Sequence, residues 1–358
     1  MAKRIVELDG LRGAAALVVV FAHFFAESEY GFSHLQLGWL GVNVFFVLSG
    51  FLIGGIILDQ SDQPGFLRSF YFRRVMRIFP VYFLVFLMTI FCAYETRGHS
   101  WSDHPFPAII YGTFGVNFAL TIAHDWGSLW LRPAWTLSVE EQFYLVLPLL
   151  IMAMPRRWLL WVLAVLWASS LAFRVAFQIS NPIAAAVLLP SRMDLLLGGV
   201  ILALIHRKYD WSRFLLFFRL NWAACILLLD AILLTGHLQL MELVSGTVTS
   251  IGIASFMLAA LYGAPEGRWV RANWLRWFGQ ISYCLYLVHQ PVNGLLHGLL
   301  LNETPGIGSA AAVAVTLFAA ALSIGIAASS WYWLERPILT WAASANEKFL
   351  RRENWAAA

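Results

Sequence analysis

The segment LRGAAALVVVFAH, residues 11–23, carries two ionisable side chains inside an otherwise apolar run. An α-helix turns by about 100° per residue, so the eleven residues from Arg12 to His23 return to within roughly 20° of the same face, about 16 Å further along the axis. Ionisable groups at that depth are costly in lipid and mark a reaction path or an ion path. The segment therefore predicts a membrane helix with a polar track on which His23 acts as a general base. The plainer alternative is a snorkelling arginine and a hydrogen-bonded interior histidine.

The rest of the chain is equally apolar. Of its 358 residues, 60% are hydrophobic and only 12% are charged, which excludes a soluble domain of this length. No long basic stripe occurs, so nucleic acid is not expected as a partner, whereas membrane lipid is. Hydropathy predicts an all-α polytopic membrane protein with about ten transmembrane helices in a single domain, 1–358, without an appended soluble domain. The predicted spans are 8–27, 38–58, 76–96, 135–154, 158–178, 190–206, 214–235, 243–263, 277–301 and 308–334.

Charge placement predicts the orientation of these spans. If both termini are cytoplasmic, all but four of the 24 basic residues fall on the inner side or in inner helix ends. The exceptions are Arg97, Arg132, Arg174 and Arg192. The apolar segment 108–122 is too short to span and is predicted to be re-entrant or interfacial.

A cluster of arginines precedes the third span, in SFYFRRVMRIFP (residues 69–80). Spacings of three and four residues place Arg73, Arg74 and Arg77 on one side of a short helix. Pro80 is predicted to break or kink the chain after them. The cluster is interpreted as a cytoplasmic cradle for a phosphate-rich ligand or, alternatively, as an anchor for lipid headgroups.

Two adjacent carboxylates begin the fourth span, in WTLSVEEQFY (residues 135–144). Glu140 and Glu141 point about 100° apart on a helix, so they cannot share one task. One is expected to orient a histidine while the other pairs with an arginine. The alternative is that both are hydrated at the interface.

Two further motifs supply additional candidates. In PSRMDL (residues 190–195), Arg192 and Asp194 do not face each other, so each needs a partner elsewhere, in a structural or a catalytic role. In ISYCLYLVHQP (residues 281–291), Ser282, Tyr286 and His289 form one polar helical stripe, and His289 is a possible second ionisable group or a simple helix contact.

Taken together, these motifs resemble those of the integral-membrane acyltransferase-3 family. The resemblance covers almost the whole chain, and the order and spacing of the motifs make it specific. They are D-G-L-R-G at 9–13 with a following His, F-F-V-L-S-G-F-L-I at 45–53, F-R-R-V-M-R-I-F-P at 72–80, W-T-L-S-V-E-E-Q-F-Y at 135–144, R-M-D-L-L-L-G-G at 192–199, I-S-Y-x-L-Y-L-x-H-x-P at 281–291 and E-R-P at 335–337.

The resemblance implies an enzyme that transfers an acyl group, most simply acetyl, from cytoplasmic acyl-CoA to a hydroxyl of a carbohydrate or glycoside acceptor, such as an envelope polysaccharide, a lipopolysaccharide or a macrolide. It implies a bacterial inner-membrane location. No metal is expected. The implied catalytic residues are His23, Glu140, Glu141 and Arg12, and the implied donor-binding residues are Arg73, Arg74 and Arg77; Asp9, Arg192, Asp194, Tyr286 and His289 are further candidates. A transporter or flippase with a buried charged track is the competing hypothesis.

Overall fold

A computed structural model describes residues 5–26 and 38–357 of the chain. Across these residues the protein is helical and contains no strand, which confirms the predicted all-α class. The predicted inner-side residues Lys3 and Arg4 lie outside the described ranges. The α-helices are α1 Val6–Phe21, α2 Gly38–Gln60, α3 Phe66–Glu95, α4 Ala108–Gly112, α5 Val116–Ala123, α6 Ala134–Ala153, α7 Arg156–Phe177, α8 Pro182–Val187, α9 Leu189–Lys208, α10 Leu215–Leu234, α11 Leu238–Leu261, α12 Asn273–Leu301, α13 Ala310–Ser330 and α14 Arg336–Ala357.

Nine helical segments within the described residues are long and apolar enough to cross a bilayer. They are Val6–Phe25, Gly38–Gln60, Phe66–Glu95, Ala134–Ala153, Arg156–Phe177, Pro182–Lys208, Ser212–Leu234, Gln239–Leu261 and Ala310–Glu347. The remaining predicted span, 277–301, corresponds to α12, which is not among the nine although its 29 residues extend about 43 Å. Helix α12 carries many polar side chains, but it buries them against neighbouring helices, so its hydropathy understates how well it suits the interior of a bundle.

The long helices alternate in direction, because short connections join α2 to α3, α6 to α7, and α10 to α11. One end of the bundle therefore collects the first turns of α1, α3, α7, α10 and α12. We call it the basic end, because it carries Arg74, Arg77, Arg156, Arg207 and Arg276. The opposite end carries α4, α5 and α8, of which α4 and α5 are too short to span, in agreement with the prediction for 108–122.

Glycines allow the central helices to approach closely. A side chain at Gly13 of α1 would collide with the backbone of α12 at Leu275, and one at Gly279 of α12 would collide with the backbone of α1 at Asp9. The same relation joins Gly50 of α2 to Gly199 of α9. Because small residues permit backbone contact between helices in lipid, this packing holds the polar face of α1 directly against α12.

Of the two outcomes predicted for Pro80, a break does not occur, since α3 continues through it as one helix of 30 residues. Proline is tolerated within membrane helices because neighbouring helices and polar side chains form hydrogen bonds with the backbone groups that it leaves unpaired. A break would instead expose unsatisfied backbone groups to lipid. The first predicted span is present, and its last residues, Ala22–Ala26, which include His23, form a π-helical turn. Such turns are rare and occur frequently at functional sites.

Candidate active site

Two histidines from opposite ends of the sequence meet in the bundle. The Nδ1 atom of His23, in the π-helical turn, lies 2.7 Å from Nε2 of His289 on α12. His289 is completely buried, and its Nδ1 atom lies 3.2 Å from the carbonyl oxygen of Leu285, one turn earlier on the same helix. His23 is half-buried. The structure therefore links a candidate base to a second imidazole that is fixed by its own helix.

A second polar cluster surrounds Arg12, closer to the basic end. The hydroxyl of Ser49 on α2 hydrogen-bonds to the hydroxyl of Tyr144, and Tyr144 donates to Oε2 of Glu140 at 3.0 Å. Arg12 interacts electrostatically with Glu140 and with Arg77. Glu140 therefore belongs to a network with Arg12, Tyr144 and Ser49. His23 forms a side-chain hydrogen bond with His289, so the geometry provides His289 as a group that can orient His23.

The two neighbouring glutamates do face different surroundings, as their spacing predicts. Glu141 lies within electrostatic range of Arg74, and its Oε1 atom is buried without a hydrogen-bond partner among the described residues. Nε of Arg74 is also buried and unpartnered there. Buried polar atoms in native proteins nearly always find a partner. These two atoms therefore mark a region that a bound ligand or water can complete.

The arginines of α3 separate into two groups. Arg74 and Arg77 line a cavity of about 320 Å³ at the basic end, together with Tyr144, Gln280 and Trp331. Arg73 is directed elsewhere: Nη1 donates to Ser69 at 2.6 Å and Nη2 to Gln60 at 3.1 Å. The expected three-arginine cradle thus has two members at the cavity, because a shared helix side does not determine which neighbours cover each residue.

Arg12 is common to three cavities. It lines the one with Arg74 and Arg77, a second of about 440 Å³ with Asp59, His206 and Arg207, and a third of about 60 Å³ with Thr136, Glu140 and Tyr286. The two larger cavities also share Asp9, Leu52 and Ile56, so they adjoin along one wall. The small cavity is lined, besides Arg12, by residues of α2, α6 and α12.

The charges of the two larger cavities differ. We call the cavity of about 320 Å³ the Arg74 cavity and that of about 440 Å³ the Arg207 cavity. The Arg74 cavity has three guanidinium groups, from Arg12, Arg74 and Arg77, and one carboxylate, from Asp9. In the Arg207 cavity, Arg207 donates to both carboxylate oxygens of Asp59 at 2.7 and 2.8 Å. That pair is neutral overall, and Arg12 and Asp9 balance each other there as well. An anion is therefore attracted to the Arg74 cavity more than to its neighbour.

Tyr286 connects the small cavity to the histidine pair. Its hydroxyl lies 3.0 Å from that of Thr136 on α6, and its ring centroid lies 5.9 Å from that of His289. Tyr286 also lines the small cavity. The predicted polar stripe of α12 is thus real: Tyr286 and His289 face the interior site, and Ser282 lines the same small cavity.

Arg192 and Asp194 do find separate partners. Asp194 forms a buried ion pair with Arg174 at 2.6 Å, and Arg174 also donates to the carbonyls of Ser191 and Leu243. Thr247 on α11 bonds to both members of the pair. We call these residues the Arg174 cluster; it joins α7, α9 and α11. Arg192 donates to the carbonyl of Ala186 at 2.5 Å and lies 5.6 Å from the ring centroid of Trp135.

Towards the opposite end, other polar groups lie near His23. Arg132, which precedes α6, interacts electrostatically with His23. On α12, the side-chain oxygens of Gln290 and Asn293 are buried without a hydrogen-bond partner among the described residues. No group of three or more His, Cys, Asp or Glu side chains within the described ranges is placed to hold a metal ion.

Three members of the site are not singled out by the sequence. Ser49, Thr136 and Tyr144 appear there only as parts of motifs. Each acquires its role from a partner on another helix, for example Tyr144 from Ser49, 95 residues away. Only the polarity of residues within apolar spans could have indicated them.

Comparison with known families accounts for this arrangement. The family model described as an acyltransferase domain, acyltransferase-3, matches residues 5–331. The chain belongs to the acyltransferase-3 family. The match includes all the helices that form the site, from α1 to α13, and confirms the resemblance drawn from the motifs.

The curated relatives are longer proteins. Peptidoglycan O-acetyltransferase OatA of Listeria monocytogenes is 27% identical over 94% of this chain and 56% of its own length. A putative O-acetyltransferase of Staphylococcus aureus is 26% identical over 96% and 60%, and the putative peptidoglycan O-acetyltransferase YrhL of Bacillus subtilis is 27% identical over 93% and 54%. The chain thus spans about half to three-fifths of these relatives. No solved structure matches the chain significantly.

Proposed function

We propose that the chain is a membrane O-acetyltransferase, which moves an acetyl group from acetyl-CoA at the basic end to a hydroxyl of a carbohydrate at the opposite end. The observation that carries the proposal is that Arg12 lines both the cavity of Arg74 and Arg77 and the small cavity of Tyr286, whose ring centroid lies 5.9 Å from that of His289. A path with phosphate-binding groups at one end and a proton acceptor at the other suits a long donor with a charged head and a reactive tip.

The charged end of the donor is assigned to the Arg74 cavity. Its excess of guanidinium groups suits the phosphates of coenzyme A, and the unpartnered Nε of Arg74 offers a further donor. Trp331 lines the same cavity and provides a flat apolar surface for a base. Arg73 lies at the edge, where it supports Gln60 and Ser69.

The acyl group is assigned to the small cavity, whose size favours acetyl over longer chains. Its volume is about 60 Å³. That is well under half of the roughly 150 Å³ that admits benzene in an engineered protein cavity. Phe45 and Phe46 form part of its wall, and the ring of Phe45 packs edge-on against Tyr286 at 6.0 Å.

The reaction requires one proton acceptor. His23 removes the proton of the acceptor hydroxyl as the oxygen attacks the thioester carbon. The carbon–sulfur bond then breaks with its electron pair on sulfur, and His23 returns the proton to that sulfur, so that the ester and free coenzyme A leave. Arg12 stabilises negative charge that develops on the carbonyl oxygen, and Glu140 keeps its guanidinium in place.

The identity of the acceptor and the orientation of the protein in the membrane are proposed on two separate grounds. Two of the relatives are named as peptidoglycan O-acetyltransferases, one of them putatively, so a peptidoglycan-type carbohydrate is proposed here in preference to lipopolysaccharide or a macrolide. The unpartnered oxygens of Gln290 and Asn293 suit hydroxyl donors of a sugar. The excess of arginine at the basic end supports the assignment of that end to the cytoplasmic side of a bacterial inner membrane.

The test uses the purified chain in proteoliposomes with acetyl-labelled acetyl-CoA outside and muropeptides inside. Transfer of label to the glycan, with release of free coenzyme A, is expected for the vesicles whose basic end faces outward. Vesicles containing His23→Ala are the control for uncatalysed transfer. Intact thioester together with movement of a solute across the vesicle would contradict the proposal and favour a transporter.

A further inference from the structure

The histidine pair is arranged for an in-plane hydrogen bond. The two rings are nearly parallel, at 7°, and their centroids are 5.0 Å apart. The centroid separation is about the N···N distance of 2.7 Å plus, for each ring, the distance from the centroid to the contacting nitrogen. The contact therefore lies along the line that joins the rings, where the N–H bond and the lone pair point, and the rings do not stack face to face.

The position of the proton in this contact follows from the second bond of His289. Leu285 offers a carbonyl oxygen, which can only accept, so Nδ1 of His289 must carry a hydrogen to bond to it. A neutral His289 then has its lone pair on Nε2. Nδ1 of His23 must therefore donate. The reverse assignment would set two acceptors against each other at 3.2 Å in a buried site, which is unfavourable.

We propose that His289 is a positioning residue that fixes the tautomer of His23, with the hydrogen on Nδ1 and the lone pair on Nε2. The inference rests on the proposed function in one respect only, namely that His23 is the base of an acyl transfer. Free imidazole in histidine adopts either tautomer, and only a hydrogen-bond partner selects one. His289 makes that selection before substrate arrives.

His289 also supports the step itself. When Nε2 of His23 takes the proton of the acceptor hydroxyl, the ring becomes an imidazolium, and its Nδ1–H continues to donate to His289. The same task falls to a buried aspartate in serine-protease triads, where the carboxylate orients the histidine and stabilises its charged form. Here a neutral imidazole takes that place, and the charge is spread through His289 to the Leu285 carbonyl.

The test compares two replacements of similar size. Gln at position 289 offers a side-chain carbonyl that accepts from Nδ1–H of His23, whereas Leu cannot accept. We expect H289L to lower kcat about 10- to 100-fold, as substitutions behind a functional histidine commonly do. KM for acetyl-CoA should stay unchanged, because the donor site lies around Arg74. H289Q should recover most of the kcat.

His297 provides a matched control. It is a buried histidine on the same helix, bonded to Thr316 on α13, two turns beyond His289. H297Q should leave kcat close to the wild-type value. Equal losses of kcat in H289L and H289Q, or no loss in H289L, would overturn the assignment.

A spectroscopic test does not depend on activity. In protein labelled with 15N-histidine, in nanodiscs, the ring signals that disappear in His23→Gln belong to His23. They should show a protonated Nδ1 and an unprotonated Nε2, and the Nε2–H form should increase in H289L. A protonated Nε2 in the neutral wild-type ring overturns the proposal, even if acetyl transfer is found. Conversely, absence of transfer with the expected spectrum refutes only the proposed function.

Discussion

The bundle contains two buried polar clusters that look alike in the sequence but differ in how fully their atoms are satisfied. In the Arg174 cluster, every nitrogen of the guanidinium has a hydrogen-bond acceptor, and Asp194 accepts from Arg174, Thr247 and Ser170. Around Arg12, Nε of Arg74 and Oε1 of Glu141 remain without a hydrogen-bond partner within the described part of the chain.

The cavities also distinguish the two clusters. Arg12 lines three cavities, whereas neither Arg174 nor Asp194 lines any of the five cavities described among the residues placed by the structure. A charged pair that is saturated and tightly enclosed has no capacity left for a ligand, so its role is to join helices. Unsaturated charges beside a cavity indicate a binding site. The predictions below test this division, from the largest expected free-energy change to the smallest.

The strongest test concerns His23. His23→Ala removes the proposed base, and general-base catalysis is worth about 10²- to 10⁴-fold, so kcat should fall by at least that factor. The thermal unfolding midpoint in nanodiscs should change little, because His23 is only half-buried. Label transfer from acetyl-CoA measures the first quantity, and tryptophan fluorescence the second. A variant that unfolds, or that retains more than a tenth of the activity, would place His23 with the structural residues.

Substitutions in the Arg174 cluster should lower the free energy of unfolding and leave acetyl transfer largely unchanged where the protein folds. Asp194→Ala leaves the Arg174 charge buried and uncompensated, which costs about 3–5 kcal/mol of the free energy of unfolding. The double replacement of Arg174 by Met and Asp194 by Leu removes both charges, so it should recover much of that loss and keep acetyl transfer. Thermal unfolding of the three proteins in the same nanodisc measures the difference. Full stability of Asp194→Ala with loss of transfer would show that this pair belongs to the reaction.

The sequence predicted the components of both clusters better than their connections. Arg12, Glu140 and His289 were recognised because polar residues within apolar spans are costly, and that rule needs no knowledge of packing. The alternation of spans followed from hydropathy and from arginine placement. Gly50 lies within the F-F-V-L-S-G-F-L-I motif, and the structure places it against α9.

The connections depend on which helices pack together, and periodicity carries no such information. His23 and His289 are 266 residues apart, and their contact arises from the close approach of α1 and α12 at Gly13 and Gly279. The π-helical turn at His23 had no sequence signal either. A carboxylate is a common partner of a catalytic histidine, which makes a glutamate the expected orienting group, and the fold in addition brings the imidazole of His289 to His23.

Substitution of the arginines of α3 should change KM for acetyl-CoA by an intermediate amount. A charge-assisted hydrogen bond contributes about 1.5–3 kcal/mol, so Arg74→Ala or Arg77→Ala should raise KM for acetyl-CoA by roughly 10- to 100-fold while kcat changes less. Arg73→Ala is the matched control on the same helix, and its effect should be smaller, because Arg73 is bonded to Ser69 and Gln60. Initial rates at varied donor concentration give the three values. Equal increases for all three variants would restore the three-arginine cradle that the sequence suggested.

The smallest expected effect is a change in acyl-chain preference at the small cavity. Phe45→Ala removes a wall of this cavity, and each methylene that it then buries contributes about 0.8 kcal/mol, or roughly fourfold in kcat/KM. In this variant, kcat/KM for propionyl- and butyryl-CoA should therefore rise relative to kcat/KM for acetyl-CoA. Phe173→Ala, which loses a ring stacked on Phe177 at 4.5 Å on α7 and not at the cavity, controls for general loosening. Competition between labelled donors of different length measures the ratio directly. If Phe173→Ala shifts it equally, or Phe45→Ala leaves it unchanged, then the acyl group occupies another part of the Arg12 cavities, and the unsaturated cluster binds only the head of the donor.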